Sequence, residues 1–244
     1  MKKHLLILFT FIFLLSCEKE AEIMPTTKFD IEDEYYAVNE QVQITDLSEA
    51  DTYYWDFGDG STYIGKEPSH AYKEPGTYTV KLVSKIGSKE NSFTREVKVG
   101  RYYAYEVQLL QFVDNYWLEG GERTAPSVGN PDIYLKITEL DPYTLKTLYQ
   151  SNIIANVQPK NLPLTWALEG VVLDIKPETF SFWNVGFNFY DKKTEDRLIA
   201  GTDVMPNSSR IEYDKSKNEG YFQSGWGAPE SGCNLLVKFR IEFR

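Results

Sequence analysis

Two carboxylates, Asp56 and Asp59, stand three positions apart in the stretch YYWDFGDGSTY, residues 53–63, interleaved with Gly58 and Gly60. Three uses of them are conceivable: an acid–base pair, a calcium loop, or the bonding of a turn. Acid–base work needs surroundings that drive the two pKa values apart, and nothing in the spacing supplies them. An EF-hand loop starting at Asp56 would place Glu67 at its twelfth position. Its third and fifth positions would then be Gly58 and Gly60, and the position that demands glycine holds Ser61. What survives is architectural. The glycines permit backbone angles that a side chain forbids, and the carboxylates can accept hydrogen bonds from turn amides, so the stretch reads as a strand running into a turn.

Other chemistry is limited by counting. The only histidines are His4 and His70, so a histidine-dependent triad or a multi-histidine zinc site has no parts to work with, and His70 reads as a packed turn residue. No Gly-rich phosphate loop, GxSxG turn or HExxH occurs. Glycoside hydrolysis asks only for two carboxylates, which the 36 acidic residues leave open as an alternative. Binding chemistry has better candidates. The segment EGYFQSGWGAPESG, residues 219–232, sets Tyr221, Phe222 and Trp226 among four glycines. As a surface loop it would offer flat rings to sugar C–H groups in one exposed plane; the alternative is that the rings fold back over the open end of a sandwich. Trp117, beside Tyr116 and ahead of EGGERTAPSVGNP, is a similar candidate, whereas Trp166 and Trp183 adjoin alternating segments and are assigned to packing.

These residues need a scaffold and a location. The chain opens with Lys2 and Lys3, then the apolar run LLILFTFIFLL from Leu5 to Leu15, then Ser16 and Cys17. That run is about half of the roughly 20 residues that cross a bilayer, so residues 1–16 read as an export signal. The sequence LLSC resembles the lipobox of bacterial lipoproteins, which implies cleavage before Cys17 and acylation of that cysteine; two or more chains anchor stably. Glu18, Glu20 and Glu22 crowd behind it in an acidic linker, residues 17–27, similar to that of Bacteroidota lipoproteins displayed on the cell exterior. The resemblance implies outer-membrane anchoring with exposure at the surface. Only Cys233 would remain as a thiol, so no internal disulfide forms and stability must come from packing. Loss of Lys2 and Lys3 takes the formal charge from −10 to −12, which argues against nucleic acid and anionic lipid as partners.

Residues 28–99 alternate apolar and polar positions in short runs between turn signals: QVQIT, TYYWDF, GTYTVKLVS and REVKV. Trp55 and Phe57 share one strand face, as do Tyr78, Val80 and Leu82 on a later strand, and together they are expected to form a core. YYWDFGDGS followed by EPSHAYKEPGTYTVKLVS resembles the polycystic-kidney-disease (PKD) repeat family, marked by W-D-F-G-D-G, H-x-Y and P-G-x-Y-x-V-x-L in that order. The resemblance implies an Ig-like sandwich that serves as a spacer or as a protein- or glycan-contact module.

Residues 101–244 also read as β structure: DIYLKIT, VVLDI, VGFNFYD and the strictly alternating LVKFRIEFR, without a helical period. The expectation is all-β, with two β-sandwich domains, the second larger and antiparallel. NPDIYLKI, LYQSNII and VGFNFYDKKTEDRLIAG, in that order, resemble the calcium- and lipid-binding sandwich of protein kinase C. That likeness implies Asp132, Asp191 and Asp196 as calcium ligands. Lys193, however, stands where the family carries a second aspartate, and an ammonium there replaces attraction with repulsion. No other cofactor is implied. The expected protein is non-catalytic and membrane-anchored, and binds glycan or a surface protein through its second domain or serves as a subunit of a surface complex.

Overall fold

A computed structural model describes residues 23–112, 130–141, 144–173, 185–194, 196–201, 209–224 and 234–244. The first body holds β1 (Phe29–Ile31), β2 (Tyr35–Ala37), β3 (Ile44–Asp46), β4 (Thr52–Asp56), β5 (Thr62–Ile64), β6 (Gly76–Ile86) and the long β7 (Lys89–Gln111). The second holds β8 (Ile133–Asp141), β9 (Thr144–Gln150), β10 (Leu164–Val172), β11 (Val185–Asp191), β12 (Arg197–Gly201), β13 (Ser209–Asp214), β14 (Glu219–Ser224) and β15 (Asn234–Glu242). The chain is all-β, and its described helical elements are two single 3₁₀ turns, at Pro159–Asn161 and Lys192–Thr194.

In the first body β5, β4, β6 and β7 follow one another antiparallel, β2 joins β7 in parallel, and β1 pairs with β3. Period-two alternation puts Trp55, Phe57, Val80 and Leu82 into one buried cluster with Phe29, Tyr72, Val97 and Val99, while Tyr78 packs against it from a partly exposed position. Phe29 meets Trp55 edge-on at 5.0 Å, and the indole N–H donates to the Gly65 carbonyl at 2.9 Å, so the ring is buried with its polar group satisfied. The body begins before Lys28. Thr26 bridges Glu49, the Asn91 side chain donates to the Pro25 carbonyl, and Thr27 bonds Ser84.

The second body is a sandwich of two sheets, β13–β14–β15–β7–β10 and β12–β11–β8–β9. Val107, Leu109, Leu235, Val237 and Phe239 line the inside of the first sheet; Leu135, Ile137, Phe187 and Phe189 line the second. Trp166 on β10 crosses the interior to Phe189 at 5.2 Å, in line with its assignment to packing. The alternation of the last strand holds through Ile241, but Phe243 falls beyond the strand end, 49% exposed, and meets Tyr35 of the first body edge-on at 5.8 Å.

The domain boundary expected at residues 99–101 lies inside a strand. Residues 89–99 of β7 pair with β6, and residues 101–111 pair with β15. Val97 and Val99 point into the first core, Tyr102 and Ala104 into the second, so the inward parity of the strand changes at Gly100. At about 3.3 Å per residue such a strand reaches roughly 75 Å and serves both bodies without a linker. Ala37 of β2 is buried in the second core, Arg101 bridges Glu74 at 2.8 Å, and Lys215 bridges Asp33 at 2.6 Å and Glu40 at 2.5 Å.

Candidate functional site

The turn after β4 resolves the question raised by its two aspartates. One Asp56 carboxylate oxygen accepts from the Gly58 N–H and one Asp59 oxygen from the Ser61 N–H, each at 2.9 Å. Gly58 has φ +79°, and a Cβ there would stand 2.8 Å from the Thr79 carbonyl oxygen, so glycine is required on both counts. The second Asp59 oxygen bonds the His70 ring at 2.8 Å, and that ring stacks on Phe57 at 4.3 Å. Burial pushes the Asp59 carboxyl up, but the Ser61 N–H and the His70 ring outweigh it and hold the group below its usual 3.8. A carboxylate depressed in the folded state adds stability above its unfolded pKa of about 3.9, and that share is lost as pH falls through the lower folded value. We expect the urea midpoint of the protein to drop below about pH 4, and Asp59→Asn to flatten that drop; an unchanged pH slope in the variant would contradict the assignment.

The three aspartates expected to hold calcium are not assembled into a cluster. Asp132 receives the Asn156 N–H at 2.8 Å and the Lys193 ammonium at 3.1 Å. Asp191 is fully buried and accepts from the Asp132 and Lys193 amides at 2.9 and 3.1 Å. Asp196 pairs with Lys192 at 2.9 Å. The Asn156 amide, with Lys193, holds Asp132 below the ordinary carboxylate range, and Lys192 does the same for Asp196. Among the described residues no three His, Cys, Asp or Glu side chains gather closely enough to hold a metal ion. The residues fit a loop braced by lysines, not a calcium cluster, because each carboxylate already has its own cation or amide.

The aromatic candidates also separate. Residues 219–224 form β14, and successive side chains on a strand face opposite ways. Phe222 is 6% exposed in the core of the second body, whereas Tyr221 lies on the outer face. Of the two alternatives, Phe222 follows the inward one and is no surface contact, while Tyr221 stays outside, because residues 219–224 are a strand and not a loop. Trp226, Trp117 and the lipidation candidate Cys17 lie outside the described residues.

Tyr221 instead joins a cleft of about 560 Å³ on the outer face of the β13–β14–β15–β7 sheet. Tyr105 faces it from β7, Glu212 and Asp214 from β13, Gln223 from β14 and Lys238 from β15. Tyr105 arrives there through a bulge. The β7–β15 register slips between Lys238↔Glu106 and Phe239↔Ala104, so Tyr105 and Glu106 are both partly exposed and the ring is re-aimed outward. The Tyr221 hydroxyl donates to Glu212 at 2.5 Å, which fixes the ring, and Arg240 lies over Tyr105 at 5.1 Å. Most of the charges have partners within the protein, Glu212 with Arg210, Asp214 with Lys217 at 2.7 Å and Lys238 with Glu106 at 2.7 Å, while Glu219 adds one further carboxylate to the lining. Hydrogen bonding from Tyr221 and Arg210 lowers the Glu212 pKa, and Lys217 with Ser216 brings Asp214 down to about 2. A general acid needs the opposite shift.

Sequence reading missed Tyr105, Glu212, Asp214 and Lys238. The available signal was the pairing of two alternating runs, SRIEYD and EGYFQS, across a polar turn, which places residues 212 and 221 opposite each other.

Comparison with known proteins identifies the first body. Residues 22–99 match the family model of the PKD domain, so the first body is a PKD domain of Ig-like type. The collagenase ColA of Bacillus cereus is 31% identical over 144 residues, which cover 54% of this chain. The chain spans only 14% of that relative's length. Among solved structures, a chain from a study of the promiscuous specificity of carbohydrate-binding modules of the β-sandwich superfamily aligns over 92% of this chain and 93% of its own, at 14% identity and a TM-score of 0.31. At that score the likeness carries no argument.

Proposed function

We propose, on the premise that residues 22–99 are a PKD domain, that this is a non-catalytic binding protein of the cell surface. It is held at the outer membrane by acylated Cys17, and its second sandwich contacts a neutral glycan chain in the Tyr105–Tyr221 cleft. One observation carries the reading: two tyrosine rings, one locked through its hydroxyl to Glu212, line one cleft in which Asp214 and Lys238 are each tied to a counter-charge of the protein itself. Rings offer apolar faces to sugar C–H groups, and Gln223 with the carboxylates offers partners for hydroxyls. The carboxylates of Glu212, Asp214 and Glu219 disfavour a polyanion there, and a volume of about 560 Å³ suits several sugar units.

A protein ligand is the second reading, favoured by the segment shared with the collagenase, whose name gives collagen as what it acts on. The carboxylate-dependent hydrolase would need a raised carboxyl as its acid, and Glu212 and Asp214 are shifted the other way.

The test uses the full-length protein in detergent against immobilised cellohexaose, xylohexaose, maltohexaose and collagen, alongside adhesion of whole cells to the same surfaces. Wild type is expected to bind at least one hexasaccharide without shortening it. Tyr221→Ala is expected to weaken binding by about tenfold or more, at roughly 1–3 kcal/mol for a lost aromatic anchor, with unchanged melting. Collagen binding alone would transfer the assignment to the protein reading. Release of reducing ends would overturn the non-catalytic one.

A further inference from the structure

We infer that the PKD domain is a working part of the cleft, because it grips the β13–β14 turn through Lys215 and so sets the position of the wall that carries Glu212, Asp214 and Tyr221. This rests on the cleft being the binding site, as proposed above.

Lys215 follows Asp214 and precedes Ser216 and Lys217 in the turn at the end of the cleft, but its own side chain leaves that turn and enters the first body. The ammonium lies 2.6 Å from Asp33, 2.5 Å from Glu40 and 4.5 Å from the centre of the Tyr36 ring, while the Tyr35 hydroxyl donates to the Lys215 carbonyl. The receiving side is itself braced. Glu40 also accepts from the Ala37 N–H at 2.7 Å, and the Tyr36 hydroxyl accepts from the amides of Asp33 and Gln43. All four partners belong to the first body, so its main hold on the turn converges on one residue. A second hold comes from below: the Asn218 side chain bonds both the N–H and the carbonyl of Ile241 on β15 and also accepts from the Tyr213 hydroxyl. The turn thus has an inner anchor within the second sandwich and an outer anchor in the PKD domain.

This arrangement makes specific mechanical sense. β13 is an edge strand, paired on one side with β14 among the described residues, and an edge hairpin is the least constrained part of a sheet. Without the outer anchor the Asp214–Glu219 turn would swing about its Asn218 contact, and the Glu212–Tyr221 bond across β13 and β14 would no longer fix the ring relative to Tyr105. An ion pair partly shielded from water and made by two carboxylates holds geometry better than an exposed single pair. Lys215 is a positioning residue: it is absent from the cleft lining and acts through Asp214 and Lys217, which belong to it.

The experiment compares wild type, Lys215→Met and Lys215→Arg as full-length protein in detergent. Amide hydrogen exchange of residues 209–224, measured without ligand, is expected to quicken about tenfold in Lys215→Met, with β6 and β11 unchanged and the melting temperature within a few degrees. The Kd for the hexasaccharide bound by wild type is expected to rise about tenfold, a typical coupling between two sites. Lys215→Arg should restore both, since a guanidinium can span the same two carboxylates. Wild-type exchange in the turn together with an unchanged Kd in Lys215→Met overturns the inference. A wild type that binds none of the three hexasaccharides sinks the glycan reading, while the exchange comparison still decides whether the PKD domain holds the turn. If Lys215→Met fails to fold, Asp33→Asn replaces it: faster exchange of residues 209–224 supports the clamp, and wild-type exchange removes it.

Discussion

Trp55→Ala is expected to lower the stability of the protein by about 3 to 5 kcal/mol, the usual cost of truncating a fully buried large aromatic. The ring has no solvent exposure, abuts Phe29 and donates its only polar hydrogen to the Gly65 carbonyl, so the variant loses packing and leaves an unpaired acceptor together. Against a typical total of about 5 to 15 kcal/mol, that is a large share for a body without a disulfide. The loss should not stay in the first body. β6 and β7 carry the core that Trp55 stabilises, and β7 continues as a central strand of the second sandwich. We expect one unfolding transition in both proteins, shifted down by on the order of 10 °C in the variant. A variant that melts within a few degrees of wild type would contradict the core assignment. Two separated transitions would contradict the mechanical continuity of β7.

Gly100→Val is expected to part the two bodies at their junction. A Cβ on Gly100 would stand 2.5 Å from the Glu242 carbonyl oxygen and 2.5 Å from a methyl of Ile241, closer than real contacts reach, and the obstacle is backbone. Valine must therefore push the end of β15 off β7. Overpacking of this kind costs about 1 to 3 kcal/mol, and the displaced segment takes more with it, since Ile241 is the strand position that Asn218 bonds. The expected reading is a lowered urea midpoint together with amide exchange that quickens more at Ile241 and in the β13–β14 turn than in β4. Wild-type exchange at Ile241 would show that β15 tolerates the side chain and that the close approach at Gly100 is not a constraint.

The two predictions probe one architectural fact from opposite sides. The PKD domain is fused to its neighbour by a shared strand rather than joined by a linker, and the junction is reinforced by Lys215 and Arg101. The cleft of the second sandwich is thereby held at a fixed attitude to the first body.

Sequence alone determined the features that depend on neighbours along the chain. Alternation at Trp55 and Phe57, and at Val80 and Leu82, reported the first core because a strand sorts its side chains by parity. The W-D-F-G-D-G stretch declared its turn because Gly58 and the two aspartates solve a local backbone problem with local atoms. Tertiary structure decided what depends on strands meeting from afar. Phe222 went inside and Tyr221 outside once residues 219–224 paired with β13 and β15, and Tyr105 turned outward only because β7 bulges against β15. Asp132, Asp191 and Asp196 look alike in sequence, yet each found a different amide or lysine, and the choice of partner lies in the fold of the loops. The cleft was legible only in part for the same reason: the Glu212–Tyr221 pairing lies within one hairpin, but Tyr105 and Lys238 come to it from strands distant in the chain.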